Sequence, residues 1–153
     1  NAPGVVDITI FVDYMCPYCG AFEQTNMTAL DELLSRGVAT IEIHPMAFVN
    51  TAQGLDYSTR AANAAACVAN YAPNSFLKFH NALFANQPTE NTPGLTDDEL
   101  IDFAKQAGAA STISTCINDR EFAGWVKATP ANAGVNSQEA LMKFMAQRFP
   151  CKT

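Results

Sequence analysis

In its first third the chain shows short β-branched runs and strict alternation, and beyond that its apolar residues recur at helical spacing. Val5 to Tyr14 (VVDITIFVDY) is rich in β-branched and aromatic residues, which predicts a strand. Ala21 to Ser35 places Phe22, Met27, Leu30, Leu33 and Leu34 at helical intervals, and Gly37 supplies a C-terminal stop. Val38 to Ile43 (VATIEI) alternates and predicts a second strand, ended by His44-Pro45. From Gly54 to about Lys127 only helices are predicted. They are an Ala-rich Tyr57 to Tyr71, then Asn74 to Asn86, then Thr96 to Ala107, then a broken stretch from Ser114 to Lys127. Thr96 and Glu99 form a capping box, and Asp97 and Asp98 suit the positive first turn. Ser137 to Phe149, with Leu141, Met142, Phe144 and Met145, predicts a final helix. The helical block interrupts a sheet-forming pattern. The expected organisation is therefore an α/β domain over residues 1–53 and 128–153, carrying an inserted helical domain over residues 54–127.

Length and composition narrow the function classes. A chain of 153 residues suits one domain with a substantial core. The net charge of −6, without a run of either sign, argues against nucleic acid, whose phosphates need clustered Lys and Arg. No apolar run approaches the roughly 18–20 residues that span a bilayer. The N-terminus lacks a basic-then-apolar leader, so the expectation is an export signal already removed.

The five cysteines change the picture most. Cys16 and Cys19 form a C-x-x-C motif, whereas Cys67, Cys116 and Cys151 are scattered. No second C-x-x-C or paired His completes a zinc site, so no metal and no cofactor are expected. Wide spacing fits an oxidising compartment better than the cytosol.

Disulfide exchange needs two thiols close enough to pair, one of them ionised at working pH. A strand runs into Cys16, and an amphipathic helix follows Cys19. At a helix start the free N–H groups and the dipole favour an anion, lowering a cysteine pKa into the range of about 3.5–7.5. Pro17 fits an early helical position, where its missing N–H costs little. Cys16 is thus the candidate attacking thiolate and Cys19 the resolving thiol, with Pro17 and Tyr18 completing the motif. Half a metal site or a fixed structural disulfide is the competing explanation.

The stretch Asp13-Tyr14-Met15-Cys16-Pro17-Tyr18-Cys19-Gly20-Ala21-Phe22-Glu23 resembles the active-site region of DsbA-like thioredoxin-fold proteins. FHNALFANQP (Phe79 to Pro88), LTDDELIDFAKQAG (Leu95 to Gly108) and Cys116 to Val126 agree with it, most closely with exported actinobacterial members. The resemblance implies an α/β thioredoxin fold with an inserted α-helical domain, and an enzyme that oxidises cysteine pairs in exported proteins. It also implies a membrane-bound reoxidase as partner. The expected protein is a monomer outside the cytoplasm, in the cell envelope or secreted, held in some forms by an N-terminal anchor upstream of Asn1.

One departure stands out. The family carries a cis-proline loop opening a β-hairpin just before the last helix. Here Gly134-Val135-Asn136-Ser137 approaches such a loop, but Gln138 already begins the helix. Thr129-Pro130 sits too early and is read as a helix N-cap followed by proline. Two strands scarcely cover this much apolar helix surface. The cis-Pro hairpin is therefore expected to be missing between Ser137 and Gln138, rather than lost from the protein.

The resemblance bears on other residues too. Glu23 lies one turn after Cys19, where the family often has an acid beneath the active site. It is read as a proton relay or as a solvated helix glutamate. Some actinobacterial relatives carry a cysteine pair in the helical domain, which implies a Cys67–Cys116 structural disulfide; two buried free thiols are the alternative. Cys151 is then left over. His44 and His80 are read as structural, Trp125 as core, and Met15, Tyr18 and Met46 as an apolar rim near the thiols, with core packing an equal account of Met46. Two other functions compete: a disulfide reductase or isomerase on the same fold, and a non-catalytic binding module.

Overall fold

A computed structural model describes residues 4–49 and 55–132, with side chains to residue 129. The Ser137–Gln138 junction, the expected final helix from Ser137 to Phe149 and Cys151 lie outside the described residues.

Strand β1 (Val6–Val12) leads through a tight turn into helix α1 (Pro17–Ser35), and strand β2 (Ala39–Pro45) returns beside β1. The two strands pair in parallel, from Val6 opposite Ala39 to Val12 opposite Pro45. This is a βαβ unit, in which a parallel return requires a crossover, here α1. Helix α1 starts earlier than its apolar pattern indicates, because Pro17 occupies its first position. It stops where Gly37 takes φ +66°, a left-handed conformation that side chains disfavour. Its buried face carries Cys19, Glu23 and Leu30.

The helical block follows as α2 (Tyr57–Tyr71), a short 3₁₀ turn, α3 (Phe76–Ala85), α4 (Asp97–Ala107), α5 (Ile113–Asn118) and α6 (Ala123–Asn132). Helix α2 is the hub on which α3, α4, α5 and α6 pack. Its Ala61, Ala62, Ala64 and Ala65 are fully buried, and small side chains permit that close approach. The capping box of α4 is formed: Glu99 N–H donates to Thr96 Oγ1 at 3.2 Å, and Thr96 N–H donates to Glu99 Oε2 at 2.7 Å. Cys67 on α2 and Cys116 on α5 are disulfide-bonded, with Cα atoms 5.9 Å apart. One apolar cluster runs from Ile10 and Val12 through Tyr14, Met46, Phe48 and Phe84 to Leu83, Leu100 and Ile117. The active-site turn lies where strand meets helix within that cluster.

Three expectations are corrected. Thr129-Pro130 is not an N-cap; it lies inside α6, and the Thr129 hydroxyl donates back to the Trp125 carbonyl at 2.9 Å, as hydroxyls do within helices. Trp125 is 40% exposed, because the neighbouring Val126 takes the inward position. Met15 does not form a rim: it is buried in the core, Met46 follows its core reading, and of the three only Tyr18 is exposed. No described helix is long and apolar enough to cross a membrane.

Candidate active site

Cys16 is the N-cap of α1, Pro17 follows it, and Cys19 is the third helical residue. The turn between strand and helix is closed by Cys16 N–H donating to the Asp13 carbonyl at 3.0 Å. Both thiols are unbonded here, and each cysteine is 5% exposed, so accessibility does not distinguish them. Electrostatics does. The Cys16 thiol is lowered to about 7, first because the Cys19 thiol hydrogen-bonds to its sulfur, then because the Cys19 and Tyr18 N–H groups favour the anion; burial and the Asp13 charge oppose this. Those N–H contacts are looser than a closed capping hydrogen bond. The Cys19 thiol moves the other way, raised by the same link to Cys16 and by burial. Two chemically identical groups are thus split into an easily ionised sulfur and one that holds its proton.

Two carboxylates are buried near the motif, and they differ. Asp13 accepts four hydrogen bonds: Met15 N–H (2.9 Å) and the Ser58 hydroxyl (2.7 Å) donate to Oδ1, and Phe48 N–H (2.8 Å) and Val49 N–H (2.9 Å) donate to Oδ2. Burial raises its pKa, while those four donors favour the charged form. Asp13 ties the active-site turn to the segment after β2 and to α2. Glu23 is 3% exposed, which removes the solvated reading. Neither of its oxygens has a hydrogen-bond partner among the described residues. Its Oε1 lies 3.3 Å from His80 Nε2, an ion-pair distance without hydrogen-bond alignment.

The helical block reaches the motif through two further residues that the sequence reading did not assign to the site. His80 on α3 is fully buried, hydrogen-bonded through Nδ1 to the Tyr14 hydroxyl at 3.0 Å and enclosed by the rings of Tyr14, Phe76 and Phe84. Gln87, just past α3, donates from Nε2 to the carbonyls of Cys16 (2.9 Å) and Tyr14 (3.2 Å). It fits only because residue 20 is glycine: a Cβ there would lie 2.2 Å from Gln87 Oε1. His44 stays apart, stacked on Phe11 and paired with Glu42. Among the described residues no group of three or more His, Cys, Asp or Glu is placed to hold a metal.

The arrangement is suited to reversible sulfur exchange, and known proteins agree. A family model described as Thioredoxin matches residues 1–138. The reduced disulfide oxidoreductase DsbG of Mycobacterium tuberculosis is 32% identical with TM-score 0.77, over 86% of this chain and 64% of that one. Oxidised DsbA of the same organism is 30% identical with TM-score 0.79, over 86% of this chain and 68% of that one. The serine/threonine-protein kinase PknE of M. tuberculosis is 32% identical over 97% of this chain. The chain spans only 26% of that kinase's length. The fold is a thioredoxin fold, and the chain belongs to the thioredoxin family, in its DsbA-like group of thiol–disulfide oxidoreductases.

Proposed function

We propose that this protein oxidises cysteine pairs in exported proteins by exchange through Cys16 and Cys19. The observation that carries the reading is the split between the two thiols at the start of α1. In the oxidised protein, a substrate thiolate attacks Cys16 Sγ. The Cys16–Cys19 bond breaks, Cys19 leaves with the electron pair and takes up a proton, and a substrate–Cys16 disulfide forms. The substrate's second thiolate then attacks its own bridged sulfur and releases Cys16 as a thiolate, which the helix start stabilises. Two electrons pass from substrate to protein, and a membrane-bound reoxidase returns them to an acceptor. Glu23, one turn from Cys19 and without hydrogen-bond partners among the described residues, is the proton relay in this reading. Tyr18, 75% exposed beside Cys16, faces the incoming chain. The Cys67–Cys116 bond is the structural disulfide of the helical block. The protein works outside the cytoplasm as a monomer. Support comes from the DsbA of M. tuberculosis, solved in both oxidised and reduced forms.

The test is oxidative refolding of a reduced, unfolded ribonuclease, with the reduction potential measured against glutathione. Oxidised protein should restore ribonuclease activity, Cys16→Ser should abolish it, and Cys19→Ser should accumulate a mixed disulfide visible by mass. Full activity in Cys16→Ser would remove the assignment, and a potential well below that of glutathione would point to a reductase.

A second reading follows from one comparison. A segment like this chain makes up a quarter of a protein named as a kinase, so the fold also serves as a module beside another activity. A Cys16–Cys19 disulfide inert toward dithiols would favour such a binding module.

A further inference from the structure

Glu23 and Asp13 pose a contrast that packing alone does not explain. Asp13 has every lone-pair direction occupied by a donor, as a structural carboxylate requires. Glu23 is equally buried but has no hydrogen bond among the described residues. Burying a polar group without a partner costs free energy, and such sites cluster where chemistry is done. His80 Nε2 lies 3.3 Å from its carboxylate, brought there by the helical block from 57 positions away along the chain (80 − 23). Apolar rings enclose the imidazole on its other sides.

We infer that His80 is a positioning residue for thiol exchange, holding the Glu23 carboxylate ready to exchange a proton with Cys19. The inference rests on the exchange reading above. Glu23 follows Cys19 by four residues on α1, so the two share a face, and helical side chains lean toward the N-terminus, here toward Cys19. Taking the Tyr14 hydroxyl as the donor to Nδ1 puts the imidazole proton on Nε2, facing Glu23. When the Cys16–Cys19 bond opens, Cys19 leaves as a thiolate. A protonated Glu23 gives it a proton, yielding a thiol and a carboxylate, and His80 Nε2–H then receives the new negative charge. Reoxidation runs the same transfer backwards, so that Cys19 can attack a mixed disulfide. No electrons move through the relay. Among the described residues the Glu23, Tyr57 and Asp13 charges all act on Tyr14, the group bonded to His80, and the Asp13 charge acts on both Cys16 and Cys19.

The experiment measures the rate at which dithiothreitol reduces the Cys16–Cys19 disulfide, from pH 5 to 9, in five proteins: wild type, His80→Phe, His80→Gln, Glu23→Gln and the double variant His80→Phe with Glu23→Gln. Phenylalanine fills the aromatic cage without the N–H, and glutamine keeps an N–H donor at similar reach. His80→Phe should slow reduction about 10-fold near neutrality and change the shape of the pH profile, within the range one acid–base group contributes. His80→Gln should recover most of the rate and the wild-type profile. In the Glu23→Gln background, His80→Phe should cost nothing more. An unchanged profile in His80→Phe, or an additive loss in the double variant, would overturn the inference. Should His80→Phe fail to fold, ¹⁵N shifts of the His80 ring in the wild type decide instead. They should differ between oxidised and reduced protein, and identical shifts would overturn it. A wild-type disulfide inert to dithiothreitol would overturn the exchange reading and this inference with it.

Discussion

The Gln87 side chain donates to the carbonyl of Cys16 at 2.9 Å, so the helical block holds the very peptide unit that begins α1. The same carbonyl accepts the helix's own Gly20 N–H at 3.1 Å. Gln87 lies over Gly20, filling the space where a Cβ would stand.

This clamp makes an inverted prediction for Gly20→Ala. Inside a helix the change ordinarily stabilises by about 0.5–1 kcal/mol. Here it displaces Gln87 and both its hydrogen bonds, so it should destabilise by about 1–2 kcal/mol. In a Gln87→Ala background the ordinary sign should return. Urea unfolding of the two single variants and the double checks it, and the same sign in both backgrounds would reject the clamp.

The reduced and oxidised forms should differ in stability in a pH-dependent way. Cys16 ionises at about 7 when folded, below its unfolded value. A group lowered on folding adds stability above its unfolded pKa and loses it as pH falls through the folded one. Only the reduced form has this group. The urea midpoint of reduced protein, measured against that of oxidised protein, should therefore rise from pH 6 to about pH 8, above which the raised Cys19 thiol, also present only in the reduced form, acts with the opposite sign. Iodoacetamide should alkylate Cys16 with a rate that rises through pH 7. A midpoint difference flat in pH would contradict the assignment of the thiolate.

Asp13→Asn should be far more costly than its size suggests. All four groups around the carboxylate are donors, and an amide nitrogen offers a fifth. Whichever way the amide turns, it faces at least one backbone N–H. A loss of about 2–4 kcal/mol is expected, read by thermal or urea unfolding, with the Cys16 alkylation profile shifted because the turn loosens.

Removing the Cys67–Cys116 bond, with both residues changed to Ala, opens a loop of 49 positions. Chain entropy puts the cost at about 4 kcal/mol. Both sulfurs are buried, so dithiothreitol should reduce the Cys16–Cys19 pair first and this bond only with unfolding. Mass-resolved alkylation over time reports the order.

The βαβ unit was legible because β-branched runs and helical spacing are local signals, and the capping box of α4 because it is four residues long. Glu23 could be placed on the Cys19 face by counting, but its burial could not be read, since it lies against His80, 57 positions away along the chain. His80 looked structural because its partners, Tyr14 and Glu23, lie 66 and 57 positions away. Gln87 carried no signal of its own. The trace it left was Gly20, a glycine inside an otherwise regular helix, where a close approach is the usual reason. Thr129-Pro130 was misread because its residue types suit a helix start, while the helix it lies in had already begun at Ala123.

The loop that the Cys67–Cys116 bond closes contains both His80 and Gln87. Those sulfurs are buried once the helices pack, so an oxidant reaches them most readily while the chain is still open. The newborn chain is thus a client of thiol oxidation before its own Cys16–Cys19 pair has its supports in place. On the proposed function, each copy would therefore mature on oxidising capacity that existed before it.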